Sequence, residues 1–208
     1  MKKRIFITVT LVCTICLIVI TCGYASKNMN FFKWGQQVSS IKNSPSNEVA
    51  VIVNNVSISK DKFNSYKAGL VTANDKITDK EVMDKLIKQE VIRQEVERLG
   101  YTVTEKEVDA FNDERFSLLE EYPEAYKITK EYVDGLGITM EQYKEMSKKI
   151  SKDVLLSNKY KADMQKKFEN ENKENRSLND YEKTVNFENY FNNVINELCK
   201  NAEIEIID

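Results

Sequence analysis

Four tyrosines, Tyr122, Tyr126, Tyr132 and Tyr143, fall within one section of this 208-residue chain, with Phe111 and Phe116 close before them. Tyrosine joins a large apolar ring to a hydroxyl that tolerates water. A group of such rings left open in a cradle between helices would hold unfolded or extended polypeptide. The same rings at helical spacing also serve as ordinary core, and the sequence leaves both uses open. It leaves little room for covalent chemistry. The chain has no histidine, which removes the commonest general base and metal ligand. Serine–histidine and cysteine–histidine catalysis and histidine-based zinc sites are thereby excluded. Cys199 has Lys200 as its nearest base in sequence, and neighbours at i and i+1 on a helix do not face each other. It closes an apolar stripe and reads as a packed thiol. The acidic residues at Glu120–Glu121 and Glu169–Glu174 read as solvated helix ends. No Gly-rich phosphate loop or Asp-x-Asp cluster offers a nucleotide or calcium site. No cofactor, no metal and no enzymatic reaction are expected.

The N-terminus carries an address. Lys2, Lys3 and Arg4 precede the uncharged run Ile5–Thr21, a positive and then an apolar region of the kind that directs export or anchors a chain. At ~1.5 Å per residue the run spans ~26 Å, short of a ~30 Å hydrocarbon core. Three outcomes stay open: cleavage after Ala25, lipidation at Cys22 within the sequence Val19–Cys22, and an uncleaved anchor. All three leave the basic end inside and residues 27–208 outside the cytoplasmic membrane, with the N-terminal segment as the membrane contact. Of four cysteines, Cys13, Cys16 and Cys22 belong to the leader, so the body holds Cys199 alone and no internal disulfide. Without the three leader cations the body has 28 basic and 33 acidic residues, a net charge of −5. That balance carries no footprint for nucleic acid.

Residues 1–25 are thus leader or anchor. Residues 26–47 read as a linker with Gly35, Pro45 and several Asn and Ser, interrupted by Phe31, Phe32 and Trp34. These aromatics fit either a membrane interface or loose packing on the domain. Residues 48–208 make one domain. Val49–Val53 alternates as a strand, Asn54-Asn55 supplies a tight turn, and Val56–Ile58 returns. Ser59 then caps a helix over Lys60–Thr72. Capping-box sequences at Thr78–Glu81 and Thr104–Glu107 open two further helices, the first of which stops at Gly100. Pro123 starts a fourth, ending by Gly135. Thr139 opens the longest, with a stripe of Tyr143, Met146, Ile150 and Val154. A last helix follows from about Leu178. Glu203–Ile207 closes the body as a strand whose Ile204, and Ile206 or Ile207, should be buried against the hairpin, the only other strand material present. The fold class is mainly α, a multi-helix domain with a small β-element from the N-terminal hairpin and the C-terminal strand.

Several of these motifs resemble one family. Val53-Asn54-Asn55, Ile58-Ser59 and Phe63 stand in the order that opens the SurA/PrsA-type N-terminal chaperone domain, with Asn55 at a usual glycine. Leu86–Gly100 resembles its second helix, Tyr101–Val108 the capped helix after it, and the closing helix and strand its returning segment. The resemblance implies a chaperone or foldase-like module that binds unfolded or exported polypeptides, with the four tyrosines as candidate contacts. Relatives carry a parvulin prolyl-isomerase domain before the returning segment. Here the gap is the polar stretch 169–179, too short for a domain, and the histidines of a parvulin site are missing. The competing expectation is an envelope adaptor or structural protein that uses the same fold to hold one partner.

Export can be checked directly. Protease added to intact, wall-stripped cells should degrade residues 27–208, and protection until lysis would overturn the assignment. Fatty-acid labelling of the parent and of Cys22→Ala selects among the three forms of the N-terminus.

Overall fold

Two asparagines set the sheet. Asn54 and Asn55 adopt φ of 49° and 67°, the left-handed pair that a two-residue hairpin needs. They turn β1 (Val49–Val53) back onto β2 (Val56–Ser59). The strand β3 (Ile204–Ile206) pairs antiparallel with the other side of β1, in the order β2–β1–β3. Around it stand seven helices among the described residues: α1 (Phe31–Asn43), α2 (Lys60–Ala73), α3 (Asp79–Arg98), α4 (Glu105–Glu121), α5 (Pro123–Leu136), α6 (Met140–Glu171) and α7 (Asp180–Asn201). The computed structural model describes residues 30–73, 76–172 and 179–207. The leader with Cys22 and residues 173–178 of the polar stretch lie outside them.

The fold is mainly helical with a small three-stranded antiparallel sheet, as expected. Val51 pairs with Ile58 on one side and Ile206 on the other, and Val53 likewise with Val56 and Ile204. Val51 and Val53 are fully buried beneath Ile87 and Val91 of α3, with Leu198 and Cys199 of α7 alongside. Asn54 fastens both ends of the body: its N–H donates to the Glu203 carbonyl (2.9 Å), and its Oδ1 accepts from the Glu203 N–H (2.8 Å). One expectation fails here. Ile204 and Ile206 are 40% and 59% exposed, because the helical cover sits over β1 and reaches Ile58 but leaves β3 at the margin.

Local signals fix the helix ends. Thr78, Thr104, Thr139 and Asn179 each close a capping box with the third residue of the helix they start, which satisfies backbone N–H groups that the first turn leaves over. Gly137, at φ 74°, ends α5 in the left-handed conformation. The sequence reading ended that helix at Gly135, which instead lies inside it.

The reason is α1, a helix where a linker was expected. Phe31, Trp34, Gly35 and Val38 are buried, a stripe at i, i+3, i+4 and i+7, and Asn30 caps it by accepting from the Lys33 N–H (2.7 Å). The helix packs across α5 through paired glycines. A Cβ on Gly135 would overlap the Phe32 carbonyl and come within 3.1 Å of the Gly35 Cα, and one on Gly35 would overlap the Tyr132 carbonyl. Trp34 and Phe31 then join Phe116, Tyr132 and Tyr143 in one core cluster. A second cluster, with Tyr160, Phe168, Phe187 and Phe191, fills the space between α6, α7 and Val96 of α3.

Gly135→Ala should force α1 away from α5. Overpacking of this kind costs ~1–3 kcal/mol, so Tm should fall by several degrees. An unchanged Tm would mean that α1 does not depend on this crossing.

Candidate functional site

The longest helix buries the wrong residues for a simple amphipathic pattern. Ser147 and Ser151 on α6 are 3% and 0% exposed, whereas Met146 and Ile150 are 45% and 40% exposed. A hydrogen-bonded network explains the inversion. Fully buried Asn112 of α4 donates from Nδ2 to the Lys144 carbonyl (2.9 Å) and accepts at Oδ1 from the Ser151 hydroxyl (2.8 Å). Arg115 Nη1 donates to the same Ser151 oxygen (2.6 Å), and Ser147 donates to the Tyr143 carbonyl (2.8 Å). Buried polar groups of this kind have to be paired, and the small serines let α4 approach α6. Outside the network, ion pairs from Lys144 to Asp113 and from Lys148 to Asp109 close the same seam. The open recess beside that seam, about 630 Å³, is lined by these charged residues with Glu141, Gln142 and Glu145, so no apolar side chain lines it.

Met146 and Ile150 look the other way. They share a face of α6 with Asp153 at steps of four and three. Asp153 is exposed on one side. The protein around it displaces enough water to raise its carboxyl pKa, against the pull of Lys149, Lys62, Arg93 and Lys152. Asp153 thus lies within electrostatic reach of Lys62 of α2 and Arg93 of α3. At the other end of α2, Ala68 packs against the cluster that holds Tyr143. Met146 and Ile150 are two exposed apolar side chains one turn apart on α6, with Asp153 the next residue along that face.

Arg93 is fixed in place. Its guanidinium donates from Nη2 to Glu90 Oε1 at 2.7 Å and from Nε to both carboxylate oxygens at 3.1 Å. Gln94 adds a bond to the same Oε1 (2.9 Å) and another to the Val53 carbonyl (3.0 Å). Burial pushes the Glu90 carboxyl up, but the hydrogen bonds from Arg93 and Gln94 and the charges of Arg93 and Lys62 outweigh it, and its pKa lies below the ordinary value.

The four candidate tyrosines do not form an open cradle. Tyr132 and Tyr143 are 5% and 7% exposed, with ring centroids 6.1 Å apart. Trp34 lies 4.4 Å from Tyr132, and burial pushes that phenol up to about 12. Once α1 is a helix rather than a linker, it covers them. Tyr126 is half-buried against the same cluster. Tyr122, between α4 and α5, is 59% exposed and remains the one open contact of the four. Cys199 is half-buried, and burial pushes its thiol up. Met146 and Ile150 were visible as part of a stripe with Tyr143 and Val154, which the structure divides: Tyr143 is buried and Met146 and Ile150 are exposed. Ser147 and Ser151 form a second stripe one residue on, and only the partner Asn112 decides between the two.

Among the described residues no group of three or more acidic, cysteine or histidine side chains is placed to hold a metal ion. No helix among them is long and apolar enough to cross a membrane. No protein-family model, curated protein or solved structure matches the chain.

The Glu90–Arg93 pair predicts a pH dependence. A carboxyl whose pKa is lowered by folding stabilises the fold above its unfolded pKa, and that contribution is lost as pH falls through the folded value. Glu90→Gln should therefore be less stable than the parent at neutral pH, with the gap closing on acidification below the usual glutamate pKa. A gap of constant size from neutral to acid would show that the charge of Glu90 contributes nothing.

Proposed function

We propose that this protein is an exported, non-enzymatic chaperone-like module that holds unfolded or extended polypeptides. The observation that carries the reading is the inversion on α6: polar serines packed inside, Met146 and Ile150 left open to solvent. Single exposed apolar residues are common, but two of them one turn apart on a helix whose small polar residues are buried make a local apolar patch. Methionine suits such a surface, since its flexible thioether fits side chains of many shapes. Asp153, with the cations Lys62 and Arg93 in its electrostatic reach, supplies polar contacts beyond Ile150. The likeness of the hairpin and the capped helices to the SurA/PrsA-type domain supports the same reading, and the missing histidines separate it from prolyl isomerisation.

Met146→Ser and Ile150→Ser test it cleanly. Exposed positions away from special features usually shift stability by no more than ~0.5 kcal/mol, so Tm should hold. The parent should suppress aggregation of several unrelated unfolded clients at near-stoichiometric ratios, and the double variant should lose most of that protection. Tyr122→Ser should weaken it less. Prolyl-limited refolding should keep its uncatalysed rate of roughly tens to hundreds of seconds. If the parent protects no client, the protein is the adaptor of one partner instead. Protection undiminished in the double variant would clear Met146 and Ile150 of any part in it.

A further inference from the structure

The outer edge of the sheet has a chemistry of its own. Ile52 stands opposite Glu205, the Asn54 N–H donates to the Glu203 carbonyl (2.9 Å), and the Ile207 N–H donates to the Ala50 carbonyl (3.0 Å). Bonded and non-bonded pairs alternate in an antiparallel ladder. The backbones of Glu203, Glu205 and Ile207 therefore turn inward to β1, and the N–H and C=O groups of Ile204 and Ile206 point outward. All three residues of β3 are exposed. Its isoleucines lie on the face that continues Val51 and Val53, and Glu203 and Glu205 lie on the opposite face. Among the described residues no strand pairs with the outer side of β3, and an edge with apolar side chains invites another strand, which proteins normally prevent. A second copy is a poor occupant. In the antiparallel register that sets Ile204 against Ile206, Glu205 would meet Glu205 of the other copy, and like charges directly opposite repel. What repels a copy selects a strand of opposite charge.

We propose that the β3 edge is a strand-addition site for an extended segment of a partner polypeptide that alternates basic and apolar residues. The segment's backbone pairs with the outward groups of Ile204 and Ile206, as in other cases of strand addition. Its apolar side chains extend the Val51–Val53 face, and its cations lie beside Glu203 and Glu205. This surface is distinct from the Met146–Ile150 pair and does not depend on it.

The test is fluorescence anisotropy on the full-length chain with a short labelled peptide of alternating lysine and valine. That peptide should bind. A glutamate–valine counterpart, and a lysine–valine peptide N-methylated along its pairing edge, should each bind at least about tenfold more weakly. Ile206→Pro removes only an outward N–H and should weaken binding by about tenfold. Glu205→Lys should shift preference toward the glutamate–valine peptide. The N-methylated peptide leaves the protein untouched, so it decides the matter even if the proline variant disturbs the strand. No binding of the lysine–valine peptide, equal binding of the N-methylated one, or equal binding of the acidic one would each overturn the proposal. So would a dimer, in the absence of peptide, that Ile206→Pro dissolves, since a second copy would then own the edge.

Discussion

The contact of Gly35 with Gly135 is the constraint from which the rest of the body follows. With no Cβ on either side, the backbones of α1 and α5 touch, and Trp34 reaches the face of Tyr132. From there the rings run on without a gap. Tyr132 meets Tyr143 on α6 at 6.1 Å, and Tyr143 meets Phe116 on α4 at 6.0 Å. This chain of edge-on and tilted rings fixes the rotation of α6 about its own axis. With Tyr143 turned inward, the residues one and two turns on that share its face are Ser147 and Ser151. Met146 and Ile150 are then directed outward by geometry alone. The exposure of Met146 and Ile150 is thus a consequence of a glycine contact on another pair of helices.

The two halves of the body are joined by α6 more than by a shared core. Its 32 residues reach ~48 Å, with the cluster of Trp34 and Tyr132 near one end and that of Phe168, Phe187 and Phe191 at the other. At the second end Lys161 lies over Phe187 and Phe191, at 5.8 and 5.3 Å from their centroids, while pairing with Glu188 at 2.8 Å. A cation over aromatic faces adds to the packing there. Between the two ends, α3 is packed against the sheet, α6 and α7 together, which accounts for the breadth of its apolar stripe.

What was legible in the sequence was local. The Asn54-Asn55 turn and the threonine capping boxes depend on neighbours three or four residues away, so their residues announce them. The pairing of β3 with β1 was also legible, because no other strand existed to take it. What was not legible depended on partners distant in sequence. The stripe of α1 contains a glycine, which reads as a breaker until Gly135 is seen against it. The serines of α6 look like surface until Asn112 reaches them. Ile204 and Ile206 look like core because nothing local says where the helical cover stops. The tyrosines divided for the same reason, since the helix that covers two of them had been taken for a connection.

The bond between Asn54 and Glu203 spans 149 positions of sequence, and a chain is synthesised from its N-terminus. β1 stays unpaired along one side until β3 has been made. Contacts this distant are slow to close because the loop's entropy is lost before any pairing is gained. The order of events is therefore written into the topology: capped helices form early and separately, and the sheet completes only at the end. Until that pairing forms, one edge of β1 stays open, so the sheet is the part of the body that any interruption of folding leaves unfinished.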